Sequence, residues 1–253
     1  MLVVVLVAAA SLLFSSAPPV VVHPSNAAQG SAASSASPGP KPIREIIFDF
    51  TYDEMQETRT DVFGQPPDSD TIHLKYAGKM TFDVLRTASN GDLLVSITFT
   101  TDAINNKKPI TGQAIVRHDG TLDFGGGQPS DDLSLIMPYL ATNYFGDRDL
   151  KKGAAWQTES EQNGVQIVSS FNVTGVTDDT ADVGVVMQTE KGYLHGAMTV
   201  DEKLVYRTKR AVPKSLDVTI KRLYTQSEQG ADVHSYFHFR LASDTADSAA
   251  ASP

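Results

Sequence analysis

The chain has 253 residues, of which 41% are hydrophobic and 20% charged, and this is the composition of a folded protein rather than a disordered one. It contains no cysteine, which excludes disulfide frameworks, thiolate nucleophiles and cysteine zinc sites but leaves other metal sites open. The net charge of −9 disfavours nucleic acid and anionic membranes as partners.

Residues 1–27 are typical of a secretory signal peptide. An apolar run from Leu2 to Phe14 is followed by Pro18 and Pro19, and Ser25-Asn26-Ala27 supplies a small-residue cleavage pattern. No Lys or Arg precedes the run, so an uncleaved membrane anchor over Leu2–Val22 is the alternative, although the two prolines disfavour an unbroken helix. We therefore predict export to the periplasm or cell surface, with membrane contact only through an uncleaved N-terminus.

The organisation predicted after the signal peptide is one folded domain between two tails. Residues 28–42 are rich in Ala, Ser, Pro and Gly and contain few large apolar side chains that could form a core. This composition predicts a flexible linker. Residues 244–253 have a similar composition, which predicts a disordered tail. The remaining residues, 43–243, are enough for a single β-rich domain.

The first part of this domain alternates between apolar and polar residues with a period of two, which predicts strands with one buried face. Asn90-Gly91 lies between two such segments and is a strong hairpin signal, and Asp119-Gly120 predicts a second hairpin. The apolar set on the first strand is Ile46, Phe48, Phe50 and Tyr52.

A helix is predicted next, beginning at Ser130-Asp131-Asp132, where acidic residues favour the helix dipole. Apolar residues recur at helical spacing as far as Tyr144 and cover most sides, which indicates a helix buried on most sides. Pro138 should kink this helix or divide it in two. The apolar residues at helical spacing are Leu133, Ile136, Met137, Leu140 and Tyr144.

Alternation resumes at Trp156 and continues in about six segments separated by short turn signals, one of them Asp201-Glu202. Consecutive strands joined by short turns form an antiparallel meander. The fold class predicted is mainly β: a single curled antiparallel meander, an open or half barrel of about ten strands, with one buried, Pro-kinked helix.

The predicted helix allows two interpretations of the protein interior. In the first, its apolar residues plug the curled sheet and complete a solid core. In the second, sheet and helix line a cavity for an apolar ligand. The residues that would line this cavity are Leu133, Ile136, Met137, Leu140, Tyr144 and Trp156.

No motif for catalysis is present, and neither a catalytic residue, a metal site nor a cofactor is predicted. His234 and His238 are four residues apart, but they lie in an alternating strand pattern, so solvent-facing side chains are expected rather than metal ligands. Residues 201–222 are locally basic, which is typical of a solvated sheet face or of a contact with a partner.

The order of elements resembles the half-barrel fold of exported lipoprotein and lipid carriers of the bacterial envelope. Two short segments, Leu150–Trp156 with the pattern Leu-x-x-Gly-x-x-Trp and Val173–Val176 with the sequence Val-Thr-Gly-Val, are similar to those of an uncharacterised family of exported β-rich proteins. The resemblance to the carriers implies lipid binding, but no motif here matches their functional residues position by position.

These observations lead to one functional hypothesis and its alternatives. The first is an exported, non-enzymatic binding protein that holds an apolar ligand, a lipid or an acyl chain, between the curved sheet and the helix. The alternative is a structural or protein-interaction module of the cell envelope with a solid core. A hydrolase would require an acid or histidine pair brought together by folding, which spacing does not exclude.

Overall fold

A computed structural model describes residues 41–60, 68–102, 109–118, 120–124, 131–142, 144–146, 148–162, 165–189, 197–226 and 229–246. Within these ranges the side chains of residues 60, 68, 131–135, 161, 162, 165, 197, 224–226 and 229 are not described. The predicted signal peptide, nearly all of the linker and the last seven residues, 247–253, therefore lie outside the described part of the chain. No helix in the described ranges combines the length and the apolar character needed to cross a membrane.

Five strands precede the helix, and the hairpin predicted at Asn90-Gly91 is confirmed. Gly91 has a φ of 90°, a left-handed conformation that glycine adopts without steric cost, and it connects the second and third strands. The strands are β1 (Arg44–Thr60), β2 (Asp68–Thr87), β3 (Leu93–Thr101), β4 (Ile110–Val116) and β5 (Leu122–Asp123).

One helix and six further strands follow. The turn predicted at Asp201-Glu202 is wrong, because the ninth strand runs without a break through both residues. The elements are α1 (Asp131–Leu140), β6 (Ala155–Gln162), β7 (Val165–Val176), β8 (Thr180–Thr189), β9 (Ala197–Arg207), β10 (Val212–Gln226) and β11 (Gln229–Asp244).

The described strands form one antiparallel sheet in the order β5-β4-β3-β2-β1-β11-β10-β9-β8-β7-β6. The first described strand, β1, thus lies at the centre of the sheet, and the next four follow one another to the edge at β5. The connection containing α1 then carries the chain to the opposite edge at β6, from which it returns to the centre at β11. Since β5 and β6 do not pair with each other in the described residues, the sheet is open.

One face of this sheet is buried along both halves, from β1 to β4 and from β7 to β11, in a single cluster of apolar side chains. Eleven strands side by side would extend over about 50 Å, whereas a helix of ten residues is about 15 Å long. The helix is therefore too short to cover the whole face, and the sheet must curve over itself to exclude water. This confirms the predicted fold class, a curled and open meander with a buried helix.

The centre of the sheet is the seam where β1 pairs with β11 along almost its whole length. Arg44 at the start of β1 donates hydrogen bonds of 2.9 and 2.7 Å to the carboxylate of Asp244 at the end of β11. The same guanidinium donates to the backbone oxygen of Arg210 at 2.9 Å. Asp244 is the last residue of β11 and is buried. The strand therefore ends one residue past residue 243, the predicted end of the domain.

Aromatic side chains fill the interior beside this seam. The ring of Phe50 on β1 stacks on Phe99 of β3 at 4.7 Å between centroids, although β2 lies between these two strands. It also packs against Phe239 of β11 at 5.7 Å. Gly78 pairs with Phe50 across β1 and β2, and because it has no side chain, the Phe50 ring can lie over the β2 backbone.

Candidate functional site

The connection between β5 and β6 contributes most of the predicted cavity residues, and α1 is its central element. Ile136, Met137 and Leu140 are at most 1% exposed and belong to the core cluster, so the prediction that they face the interior is confirmed. The side chain of Leu133 lies outside the described set.

The helix is shorter than the apolar pattern predicted. It ends at Leu140, two residues after Pro138, and is one helix rather than two. Pro138 lies in the last turn of α1, so the backbone hydrogen bonds of the earlier residues can still form. Proline has no backbone N–H to donate and its ring crowds the preceding turn, and both effects disfavour extension of the helix beyond Leu140. Tyr144, predicted as helical, lies in the turns that follow, and so does Phe145.

These turns carry an aromatic cluster that joins the connection to the far half of the sheet. Phe145 is buried and meets Trp156 of β6, Phe171 of β7 and Tyr206 of β9 edge to face, at 5.9, 6.3 and 4.9 Å between centroids. Trp156 stacks on Phe171 at 4.9 Å, and the Arg148 guanidinium lies 5.1 Å from its ring centre. Tyr144 and Trp156, predicted as cavity lining, are thus brought together in this cluster, both of them half-buried.

The same turns also contact the near half of the sheet, at the turn between β4 and β5. Gly120 has a φ of 86°, and a Cβ atom built there would lie 2.4 Å from the backbone oxygen of Tyr144. Only glycine permits this close approach. The connection therefore occupies the opening between the two halves of the sheet, with Gly120 on one side and Trp156 on the other.

A buried glutamate lies under this connection. Glu202 is on the core face of β9 between Val200 and Leu204, is 2% exposed, and neither of its carboxyl oxygens has a hydrogen-bond partner among the described residues. Burial raises its pKa well above the usual range. Its charge, when present, acts on Tyr139 and Tyr144, whose pKa values are raised mainly by burial and further by Glu202, that of Tyr144 to about 12.

The two tyrosines on which Glu202 acts belong to a small hydrogen-bonded group. Tyr139 is fully buried on α1 and shares side-chain hydrogen bonds with Tyr144 and with Ser169 of β7. The hydroxyl of Thr142, two residues after α1, is also buried and has no partner among the described atoms. The described core is therefore mainly apolar, with a few buried polar groups.

A second inward-facing glutamate shows how such a group is ordinarily accommodated. Glu54 of β1 accepts hydrogen bonds from the hydroxyl of Tyr52 and from that of Ser235, the latter at 3.1 Å. Burial, and next the hydrogen bond to Glu54, raise the pKa of Tyr52. Glu54 is thus satisfied by its neighbours in the sheet, whereas Glu202 is not.

Sequence patterns do not point to Glu202, because Asp201-Glu202 predicts a turn where the structure has a strand. The signal that identifies it is the alternation along β9, which places Glu202 in the inward set with its neighbours two residues away on each side. Phe145, Phe171 and Tyr206 were not assigned to the site either, since their meeting depends on three separate elements.

The outer face of β8–β11 contains a groove of about 950 Å³ that no sequence pattern predicted. Its apolar floor includes Val186, Val205 and Tyr236, and both acidic and basic side chains surround it. The basic residues predicted in 201–222 are thus interspersed with acids here. The charged groups around the groove are Asp182, Asp201, Asp217, Lys203 and Lys221.

The remaining charged candidates have ordinary ion-pair partners. His238 pairs with Asp217, and His234 lies 3.1 Å from Asp232, so both histidines face outward on β11 as predicted. Lys209, in the turn after β9, lies 2.6 Å from Asp179. Within the described ranges, no three His, Asp or Glu side chains are grouped closely enough to hold a metal ion.

Neither a protein-family profile nor a curated protein sequence matches this chain. Among solved structures, it is similar to one of lipovitellin described for its lipid–protein interactions, at 9% identity and a TM-score of 0.40. The match covers 81% of this chain and 26% of the lipovitellin chain. The chain thus corresponds to about a quarter of that protein, and so distant a likeness carries no argument about its function.

Proposed function

We propose that this chain is a non-enzymatic binding protein that holds an apolar ligand between its curled sheet and the connection containing α1. The observation that carries the proposal is how the sheet opening is filled. In the described residues β5 and β6 do not pair, and the connection packs between the two halves of the sheet, through Phe145 on one side and the Tyr144 backbone on the other.

A closure of this kind can open without breaking a strand ladder. Displacing the connection separates no pair of described strands, because the connection packs on the sheet through buried side chains of α1, through the aromatic cluster and through the approach of Tyr144 to Gly120. Separating β1 from β11, by contrast, would break a long ladder of backbone hydrogen bonds. The connection is therefore the part of the fold best suited to admit a ligand.

The surface that a ligand would meet is apolar. Ile136, Met137 and Leu140 on α1 face the core cluster, and burying each apolar ligand carbon against such side chains contributes about 0.8 kcal/mol. A ligand with a long hydrocarbon chain fits this lining better than a compact polar one.

Trp156, the single tryptophan of the chain, provides the test. We expect a fluorescent fatty-acid analogue to bind the purified protein, to be displaced by an unlabelled alkane, and to change Trp156 emission as Phe145 and Phe171 move. Native mass spectrometry of gently purified protein should show a small apolar molecule bound. Protein that is consistently ligand-free and does not bind the probe would contradict the proposal.

The matched control is a substitution that leaves Trp156 in place. Thr98→Val on β3 lies outside the connection, and we expect it to bind the probe with unchanged affinity and the same Trp156 response. A response that followed probe concentration equally in a Trp156→Phe protein would come from the probe and not from the site.

The groove on the outer face of β8–β11 favours a second candidate, an interaction module with a solid core that binds a protein partner. Lys203 and Lys221 alternate with acids around this groove, which suits a segment of mixed charge. Crosslinking through Lys203 to a single protein partner, with no bound apolar molecule, would support this function. Export to the periplasm or cell surface remains a prediction in both cases, tested by the cellular fraction in which the protein is found.

A further inference from the structure

Glu202 distinguishes the interior from an ordinary apolar core. A carboxyl removed from water without a partner is costly, and buried polar groups in folded proteins are nearly always hydrogen-bonded. Both carboxyl oxygens of Glu202 are buried and lack a hydrogen-bond partner among the described residues. Replacing Glu202 by leucine would remove this cost while keeping the side-chain volume similar, so the carboxyl is best explained by a molecule that binds it.

We propose that Glu202, with the hydroxyls of Tyr139, Tyr144 and Ser169, binds the uncharged polar head of an amphiphilic ligand, of the class of long-chain alcohols. The inference rests on the proposed function, because the ligand's hydrocarbon chain would lie along the apolar lining of α1. Beyond the proposed function, Glu202 defines where the polar head of the ligand binds and which chemistry that head has.

The surroundings of Glu202 favour a hydroxyl over a charged head. Its neighbours on β9, Val200 and Leu204, are apolar and fully buried, and the groups of the connection on which the Glu202 charge acts are the phenols of Tyr139 and Tyr144. Burial raises the pKa of this carboxyl well above its usual range, which favours the protonated, uncharged form. A protonated carboxyl donates one hydrogen bond and accepts others, which is what an alcohol also does.

A cationic head is less suited to this place. It would require Glu202 to ionise inside the core, and the two charges would both lose their hydration for one ion pair. An anionic head would meet a buried carboxyl and two phenols, and the basic side chain that acts on Tyr144, Arg148, is exposed and lies over the Trp156 ring. The alcohol satisfies the orphaned oxygens without introducing charge.

The test compares three ligands of equal chain length, decane, 1-decanol and decylamine, by competition with a fluorescent fatty-acid analogue. We expect the wild-type protein to bind 1-decanol about tenfold or more tightly than decane, since a missing hydrogen-bonding group leaves buried polar atoms unpaired. Glu202→Leu should bring this ratio close to one, whereas Glu202→Gln, which keeps a donor and an acceptor, should retain most of it.

Glu57→Leu and Glu57→Gln are the matched controls, because Glu57 is an exposed glutamate on β1. Both should leave the ratio of 1-decanol to decane unchanged. Tyr144→Phe, which removes one hydroxyl and keeps the ring, should lower the ratio severalfold, and it provides an independent measurement if Glu202→Leu does not fold.

The outcomes separate this inference from the proposed function. If decane and 1-decanol bind equally well and Glu202→Leu changes nothing, the head-group site is wrong while apolar binding stands. If decylamine binds tightest, the class of head is wrong. If neither decane nor 1-decanol binds, the proposed function itself fails.

Discussion

Gly78 is the residue on which the aromatic packing beside the central seam depends. A Cβ atom added there would lie 2.0 Å from the backbone oxygen of Thr100 and 2.7 Å from the Phe50 ring. The backbone oxygen belongs to the adjacent strand and cannot rotate away, so the strands themselves would have to separate.

We expect Gly78→Ala to lower the free energy of unfolding by about 1–3 kcal/mol, measured by urea denaturation. Gly184→Ala on β8 is the control, because the nearest atom to its added Cβ is 3.8 Å away, in ordinary van der Waals contact. That variant should be neutral or slightly more stable, since alanine restricts the unfolded chain. Equal losses in both proteins would contradict the steric argument.

Glu202 makes stability depend on pH. Its pKa in the folded protein lies above the unfolded value of 4.5, so the unfolded chain binds fewer protons between these two values. Stability is therefore greatest below the unfolded pKa and falls as the pH rises toward the folded one. The slope contributed by this one group is at most about 1.4 kcal/mol per pH unit.

Glu202→Gln should remove this contribution, so that the variant gains stability over the wild-type protein as the pH rises from the unfolded pKa of 4.5 toward the raised folded pKa. Urea denaturation at several pH values measures the difference between the two proteins, which cancels the titration of groups they share. A difference that stayed constant with pH would mean that Glu202 is charged in the folded state or reaches water.

At the scale of elements, the connection containing α1 joins the two edges of the sheet mainly through Phe145. We expect Phe145→Leu to destabilise the protein by about 1–2 kcal/mol, through the loss of edge-to-face contacts with Trp156, Phe171 and Tyr206. Because the lost contacts hold the connection against the sheet, the fluorescent fatty-acid analogue should also enter the protein faster, as measured by stopped-flow fluorescence.

Phe239→Leu on β11 is the control for this effect, since Phe239 is equally buried but lies at the seam. It should cost comparable stability without changing the rate of probe entry. If both variants admitted the probe at the same increased rate, entry would depend on global unfolding rather than on the connection.

The strands were largely predictable because one buried face imposes alternation on each of them, as at Ile46, Phe48 and Phe50. Glu202 broke the pattern by polarity alone and was misread as part of a turn. The site was predictable only in part. The apolar residues of α1 predict a buried helix, but the packing of the connection against the sheet depends on contacts between distant residues, Gly120 with Tyr144 and Phe145 with Tyr206. The outer groove arises from the shape of the sheet, which single-strand patterns do not encode.

At the scale of the whole molecule, the ends of the domain are joined by the ion pair of Arg44 with Asp244. The Asp244 side chain is fully buried and that of Arg44 is 21% exposed, so the pair is screened much less by water than a surface pair. Arg44→Met leaves the Asp244 carboxylate without its guanidinium partner, and we expect a loss of about 1.5–3 kcal/mol.

Lys79→Met provides the comparison, because Lys79 pairs with Asp49 at 2.8 Å while both side chains are more than half exposed. This variant should change stability by less than about 1 kcal/mol. Thermal or urea unfolding of the two proteins checks the difference, and a loss for Lys79→Met as large as that for Arg44→Met would contradict the role assigned to burial.

Pairing of β1 with β11 joins residues about 200 positions apart, as the Arg44 to Asp244 contact shows. During synthesis from the N-terminus, the first strand of the domain emerges long before its permanent neighbour. Until then one edge of β1 offers unpaired backbone groups to any other strand, including one from a second nascent copy. Maturation is thus limited by the arrival of the final strand, and the contact order predicts slow folding with a need for protection from aggregation.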